Sequence, residues 1–191
     1  MKSSVSAYQI EASEILRKAY QLLSYFLANE QIAKIAHPDK SDDPLKSLDA
    51  RFLFQETSTL LLEVAILFRS LDDQRKSSTD SVNREKYLSK VASTNERYGF
   101  DMFDKLSIRE CCNKIIHATI FEPRAVEGLG AHTEDLAAFY GDDDKEIMWH
   151  HLSGDIRIAG KYNDKGWAYL ISVPEFVEAL AYLLVNGRGH R

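Results

Sequence analysis

Residues 107–121 read SIRECCNKIIHATIF, and three side chains in that stretch have the types that act on phosphate: Arg109, Asn113 and His117. A helical residue advances about 100°, so with Ile108 at zero the residues Ile115, Thr119, Cys112, Ile116, Cys111 and Ala118 fall within about 80° of it. Arg109, Asn113 and His117 then follow at about 100°, 140° and 180°, an i, i+4, i+8 ridge on the opposite edge. RNA cleavage needs a base to take the 2′-hydroxyl proton and an acid to protonate the leaving oxygen. An imidazole suits either task. A cation beside the non-bridging oxygens stabilises the developing charge. One helix offers one histidine, so a homodimer would supply the second.

The helix that carries this ridge has a clear start. Ser107 and Glu110 form a capping box, S-I-R-E, in which each side chain meets the other residue's backbone amide. The helix is expected to run to about residue 119, with Glu110 and Lys114 as an i, i+4 pair and both cysteines on the core face. Upstream, Tyr8, Ala12, Ile15, Leu16, Ala19, Leu22, Leu23 and Phe26 have amphipathic spacing. They predict a helix over about 4–28, to which NEQIAKIA adds a turn or two. A more apolar helix over about 44–72, entered through Asp43-Pro44, should be the centre of a bundle. DDQRKSSTDS reads as a polar connection. VNREKYLSKVASTNERYGF reads as a charged helix anchored by Val82, Leu88 and Val91.

After that, EPRAVEGLG is expected to be a loop and HTEDLAAFYGDDDKE to hold one short helix. From residue 147 the pattern alternates and turns β-branched and aromatic, with turn signals at Ser153-Gly154 and NDKG. Three antiparallel strands, about 147–152, 155–162 and 167–172, are predicted, then a closing helix in PEFVEALAYLLVNG with Gly187 as its stop. The fold class is therefore mostly α: a helical bundle (1–125) with a small C-terminal three-stranded antiparallel meander and closing helix (126–191) packed on it.

CNKIIHA, in a short helix late in a helical bundle, resembles the HEPN family (higher eukaryote and prokaryote nucleotide-binding), whose signature is often written R-N-x-x-x-H. Asn113 and His117 match the Asn-x-x-x-His part. Cys112 stands where the family prefers Arg, and the nearest arginine is Arg109. The resemblance implies a metal-independent ribonuclease, or a nucleotide- or RNA-binding relative, in a toxin or defence context. It also implies a homodimer in which both chains' histidines meet. His117 would be the acid–base residue, Asn113 would orient it or the phosphate, and a neighbouring arginine would hold the phosphate.

Composition narrows the alternatives. The chain has 191 residues, 45% hydrophobic and 28% charged, with a net charge of −5. That balance argues against a broad electrostatic grip on nucleic acid but leaves room for a narrow site. No apolar run is long enough to span a bilayer, no signal-peptide pattern opens the chain, and the two cysteines are adjacent, so a cytoplasmic setting without membrane contact is expected. No cofactor or metal is expected. His150 and His151 are strand neighbours facing opposite sides, and Asp142, Asp143 and Asp144 lack calcium-loop spacing. The aromatic residues Trp149, Tyr162, Trp167 and Tyr169 support a second reading, a non-enzymatic interaction module that binds a protein partner.

Overall fold

Most helices begin where the sequence supplies a cap. The computed structural model describes residues 10–36, 43–98, 106–130 and 147–185. It contains α1 (Ala12–Ile35), α2 (Pro44–Lys76), α3 (Ser81–Arg97), α4 (Ile108–Ile116), β1 (Ile120–Gly130), β2 (Ile147–Tyr162), β3 (Lys165–Ser172) and α5 (Val173–Leu184). Asp43 accepts from the amides of Leu45 and Lys46, with Pro44 opening the first turn of α2. Asp80 accepts from the Asn83 amide to start α3, and Ser172 accepts from the Glu175 amide to start α5. The predicted fold class holds: a mostly helical chain carries a three-stranded antiparallel sheet, ordered β1-β2-β3, and a closing helix.

Several boundaries differ from those the sequence suggests. Residues 10 and 11 precede α1, which starts at Ala12 rather than near residue 4, and the helix continues to Ile35. α2 extends one turn past residue 72 to Lys76, so the connection to α3 is only residues 77–80. α4 stops at Ile116, with His117 as its C-cap. α3 is anchored by Tyr87, Val91 and Thr94, whereas Val82 and Leu88 are exposed. The short helix expected within 132–146, the Asp142–Asp144 run and the Gly187 stop lie outside the described residues.

The sheet departs most from expectation. EPRAVEGLG is not a loop but most of β1, and 147–162 is one long strand rather than two. β1 pairs with β2 along both halves, from Ile120 opposite Ala159 to Gly130 opposite Ile147, with a register shift between Pro123 and Ala125. Across that shift Ser153, Gly154 and Asp155 of β2 face only Arg124. Gly154 has φ +93°, so the residue pair read as a hairpin turn forms a bulge that bends β2. A bulge and a turn make the same demand for positive φ, which explains the confusion. The second turn signal is a true hairpin: Asn163 (φ 46°) and Asp164 (φ 61°) join β2 to β3 with the left-handed pair of a type I′ turn.

One buried cluster runs through bundle and sheet. Ile15 of α1, Phe68 of α2 and Ile108 of α4 share it with Ile156 and Ile158 of β2 and Phe176 of α5. β1 itself crosses the 125/126 boundary between the two expected parts. At the bend of β2, buried Asn29 of α1 donates to Asp49 of α2 (3.0 and 3.1 Å) and accepts from the Leu152 amide (2.8 Å), tying three elements at one point. Burial raises the Asp49 carboxyl above its ordinary range, against the bond from Asn29.

Candidate functional site

The capping box at α4 is complete. Ser107 Oγ accepts from the Glu110 amide (3.2 Å), and the Glu110 carboxylate accepts from the Ser107 amide (3.0 Å). The Ser107 backbone and side-chain bonds hold the Glu110 carboxyl below its usual range. With its start fixed, α4 turns Ile108, Cys111, Cys112 and Ile115 wholly inward. Burial pushes both thiols well up, so neither is a ready nucleophile at neutral pH.

The polar ridge of α4 divides between two settings. Arg109 turns towards α2, where it pairs with Asp72 and with Asp73 (2.8 Å). Asp72 is 1% exposed and also accepts from Tyr87 Oη (2.9 Å) and Lys76 Nζ (2.9 Å). Burial opposes ionisation of Asp73, but the bond from Arg109 and the charges of Arg69 and Arg109 outweigh it and lower its carboxyl. Burial and the Asp72 carboxylate together drive the Tyr87 phenol far above its ordinary value. Arg109 is thus engaged in structural ion pairs.

Asn113 is held from α2 as well, its Oδ1 accepting from Arg69 Nε at 2.6 Å. Arg69 is therefore the arginine that stands beside Asn113, and it comes from another helix, 44 positions away in sequence. His117 is exposed at the helix end, its amide donating to the Asn113 carbonyl (3.1 Å). Asn113 and His117 line one cleft of about 380 Å³ together with Glu110, Lys114, Lys161, Tyr162 and Trp167; Arg109 does not line it.

The far wall of this cleft comes from the β2–β3 hairpin. The Thr119 amide donates to the Ala159 carbonyl (2.9 Å), fixing the end of α4 on β2. Gly160 leaves room for the Trp167 ring; a Cβ there would stand 2.5 Å from that ring and 2.9 Å from the His117 carbonyl oxygen. Lys114 lies over Trp167 (4.8 Å to the centroid) and Tyr169 (5.1 Å), and those two rings are 5.8 Å apart. Each such cation–ring contact contributes about 0.5–1 kcal/mol at an exposed site. The cleft therefore offers three basic side chains, an indole, a phenol, an amide and one carboxylate.

Sequence reasoning singled out Asn113 and His117 as ridge residues with Arg109, and did not anticipate the cleft or the part of Lys114, Lys161, Tyr162 and Trp167 in it. Lys114 looked like a helical partner of Glu110, and the hairpin aromatics gave no sign of which face would meet α4. His150 pairs with Glu127 (3.5 Å) on an exposed face, while His151 points elsewhere with a buried Nδ1. Among the described residues no three His, Cys, Asp or Glu side chains stand close enough to hold a metal ion, and no helix is long and apolar enough to cross a membrane.

Comparisons with protein-family models, characterised proteins and solved structures find no match to this chain. Fold and cleft define a class by architecture alone: a helical bundle, closed by a meander and a final helix, with a cationic and aromatic cleft where bundle and hairpin meet.

Proposed function

We propose that this chain is an HEPN-like RNA-binding protein, and that the cleft between α4 and the β2–β3 hairpin takes an unpaired nucleotide. The observation that supports this reading is the grouping of Lys114, Lys161 and His117 with Trp167 and Tyr162 around one cleft. Single-stranded RNA is held in such settings by base stacking on aromatic rings and by cations on the phosphates. Trp167 and Tyr162 are the stacking surfaces; Lys114 and Lys161 are the phosphate contacts. The net charge of −5 suits a short, local grip of this kind rather than a long basic track.

Cleavage on this reading belongs to a homodimer. One His117 takes the 2′-hydroxyl proton, the 2′-oxygen attacks phosphorus, and the 5′-oxygen departs with a proton from the second His117, leaving a 2′,3′-cyclic phosphate. Asn113, fixed by Arg69, orients the phosphate. Arg109 serves by holding α4 against α2. The HEPN resemblance sets such an activity in a toxin or defence context.

A short unpaired RNA, titrated into the full chain, tests binding and cleavage together. Wild type is expected to bind, with affinity falling by about tenfold in Lys114→Ala and in Trp167→Ala. Cleavage is expected to continue in chelator and to vanish in His117→Ala. Binding unmoved by both cleft substitutions excludes the cleft, and cleavage surviving His117→Ala excludes the histidine mechanism.

A second reading has its own observation. Tyr25, Ile32, Leu45, Leu48 and Phe52 line an apolar groove of about 290 Å³ between the ends of α1 and α2, with Leu48 55% exposed. Such a surface suits an interaction module that binds a protein.

A further inference from the structure

At the opposite end of α2 from that groove, a second cleft of about 360 Å³ opens between α2, α3 and α5. It is lined by Arg75, Arg84, Lys86 and Lys90 together with Ser78, Asn83, Tyr87 and Leu183. No carboxylate is in its lining. Four basic side chains converge here in a protein whose net charge is −5. Like charges gathered in a concavity repel one another and raise the local positive potential, which an anion among them would relieve.

The bonding of these groups leaves that need unmet. Among the described residues none of the four forms an ion pair with a carboxylate. Arg75 lies over the Tyr87 ring (5.1 Å), Arg84 donates weakly to the Ser78 carbonyl (3.5 Å), and Lys90 donates to the Val185 carbonyl (3.0 Å). Of the acids near them along the chain, Asp80 caps α3 through Asn83, Asp72 is buried beneath Tyr87 with Arg109 and Lys76, and Glu85, between Arg84 and Lys86, is exposed and does not line the cleft. Tyr87 and Leu183 form an apolar wall, and the Tyr87 hydroxyl is directed away to Asp72. The guanidinium and ammonium groups and the Ser78 hydroxyl then remain as donors to phosphate-type oxygens.

We propose that this cleft is a binding site for a small ligand bearing a polyphosphate group. Four cations exceed what one phosphate, with about two charges, would neutralise. A volume at the lower end of small-ligand sites favours a compact polyanion over a nucleic-acid backbone, which needs an extended track of cations. The site is separate from the α4–hairpin cleft and shares no lining residue with it.

Calorimetric titration of the full chain with inorganic tripolyphosphate at fixed ionic strength tests the proposal. Wild type should bind one equivalent, and orthophosphate or sulfate should bind at least about tenfold more weakly. Arg84→Glu and Lys86→Glu, each shown folded by its thermal unfolding, should lose at least about tenfold in affinity, and Lys86→Arg should retain binding. Lys161→Glu, at a residue that lines the other cleft and not this one, should leave the titration unchanged, so the outcome is independent of RNA binding or dimerisation there. Absence of binding to wild type, equal binding by the two reversal variants, or loss in Lys161→Glu alone would overturn the assignment. So would a short RNA whose binding depends on Arg84 while tripolyphosphate does not bind.

Discussion

At the scale of single residues, α4 is specified by groups that meet the core or the cap before any that meet a ligand. Cys111 is fully buried, its thiol raised by burial. Cys111→Ser is therefore expected to lower stability by about 1–3 kcal/mol in urea titrations, since a hydroxyl there is removed from water. Native-state labelling of either cysteine by a thiol reagent should be slow and should follow global unfolding; rapid labelling would show the face to be open. Acid stability is set partly by Asp73 and Glu110, whose folded carboxyls lie below their ordinary values. Their contribution is full above the unfolded carboxylate pKa of about 4 and disappears as pH falls through the lower folded values. Glu110→Gln should flatten the fall of stability below about pH 4. An unaltered acid profile would remove the cap from the account. The core side of this helix was legible in the sequence because helical spacing alone separates Ile108, Cys111, Cys112 and Ile115 from the ridge. The fate of Arg109 was not, because Asp72 and Asp73 sit on another helix and periodicity says nothing of partners across a bundle.

At the scale of elements, the candidate cleft exists because a helix end and a hairpin are held together by two backbone features, the Thr119–Ala159 bond and the absence of a side chain at Gly160. Gly160→Ala should force Trp167 or the end of α4 to move. It is expected to lower stability by about 1–3 kcal/mol and to shift tryptophan emission. A variant with native stability and native emission would mean that the ring is not seated as described. β1 escaped sequence reasoning for related reasons. Pro123, Gly128 and Gly130 read as loop residues, yet Pro is tolerated at an edge strand or bulge, and both glycines leave space for Trp149 lying across them. The Asn163-Asp164 hairpin was legible because a two-residue turn with positive φ has few sequence solutions, whereas Gly154 met the same φ demand inside a strand.

For the whole molecule, the question is which surface meets a second copy or a partner. The ribonuclease reading needs two chains with their α4 ends facing, whereas the interaction-module reading uses the apolar groove between α1 and α2. Sedimentation of wild type, Lys161→Glu and Phe52→Glu separates them. The proposed reading expects a dimer that dissociates by at least about tenfold more readily in Lys161→Glu and is unmoved by Phe52→Glu. The reverse pattern, or a wild-type monomer, favours the interaction module. Burial of α4 and the sheet in one core also predicts a single cooperative unfolding transition for bundle and meander, by calorimetry and by tryptophan emission alike. Two separated transitions would show the meander to be an independent unit.

The central claim, that the cleft between α4 and the hairpin receives an unpaired nucleotide, is tested most directly by nitrogen-15 NMR of the two indole N–H groups. Trp167 lines that cleft, while Trp149 lies against Gly128 and Gly130 on β1. Titration with a short unpaired RNA is predicted to move the Trp167 indole signal progressively and to leave the Trp149 signal in place. A Trp167 signal that stays fixed at saturating RNA would contradict the account.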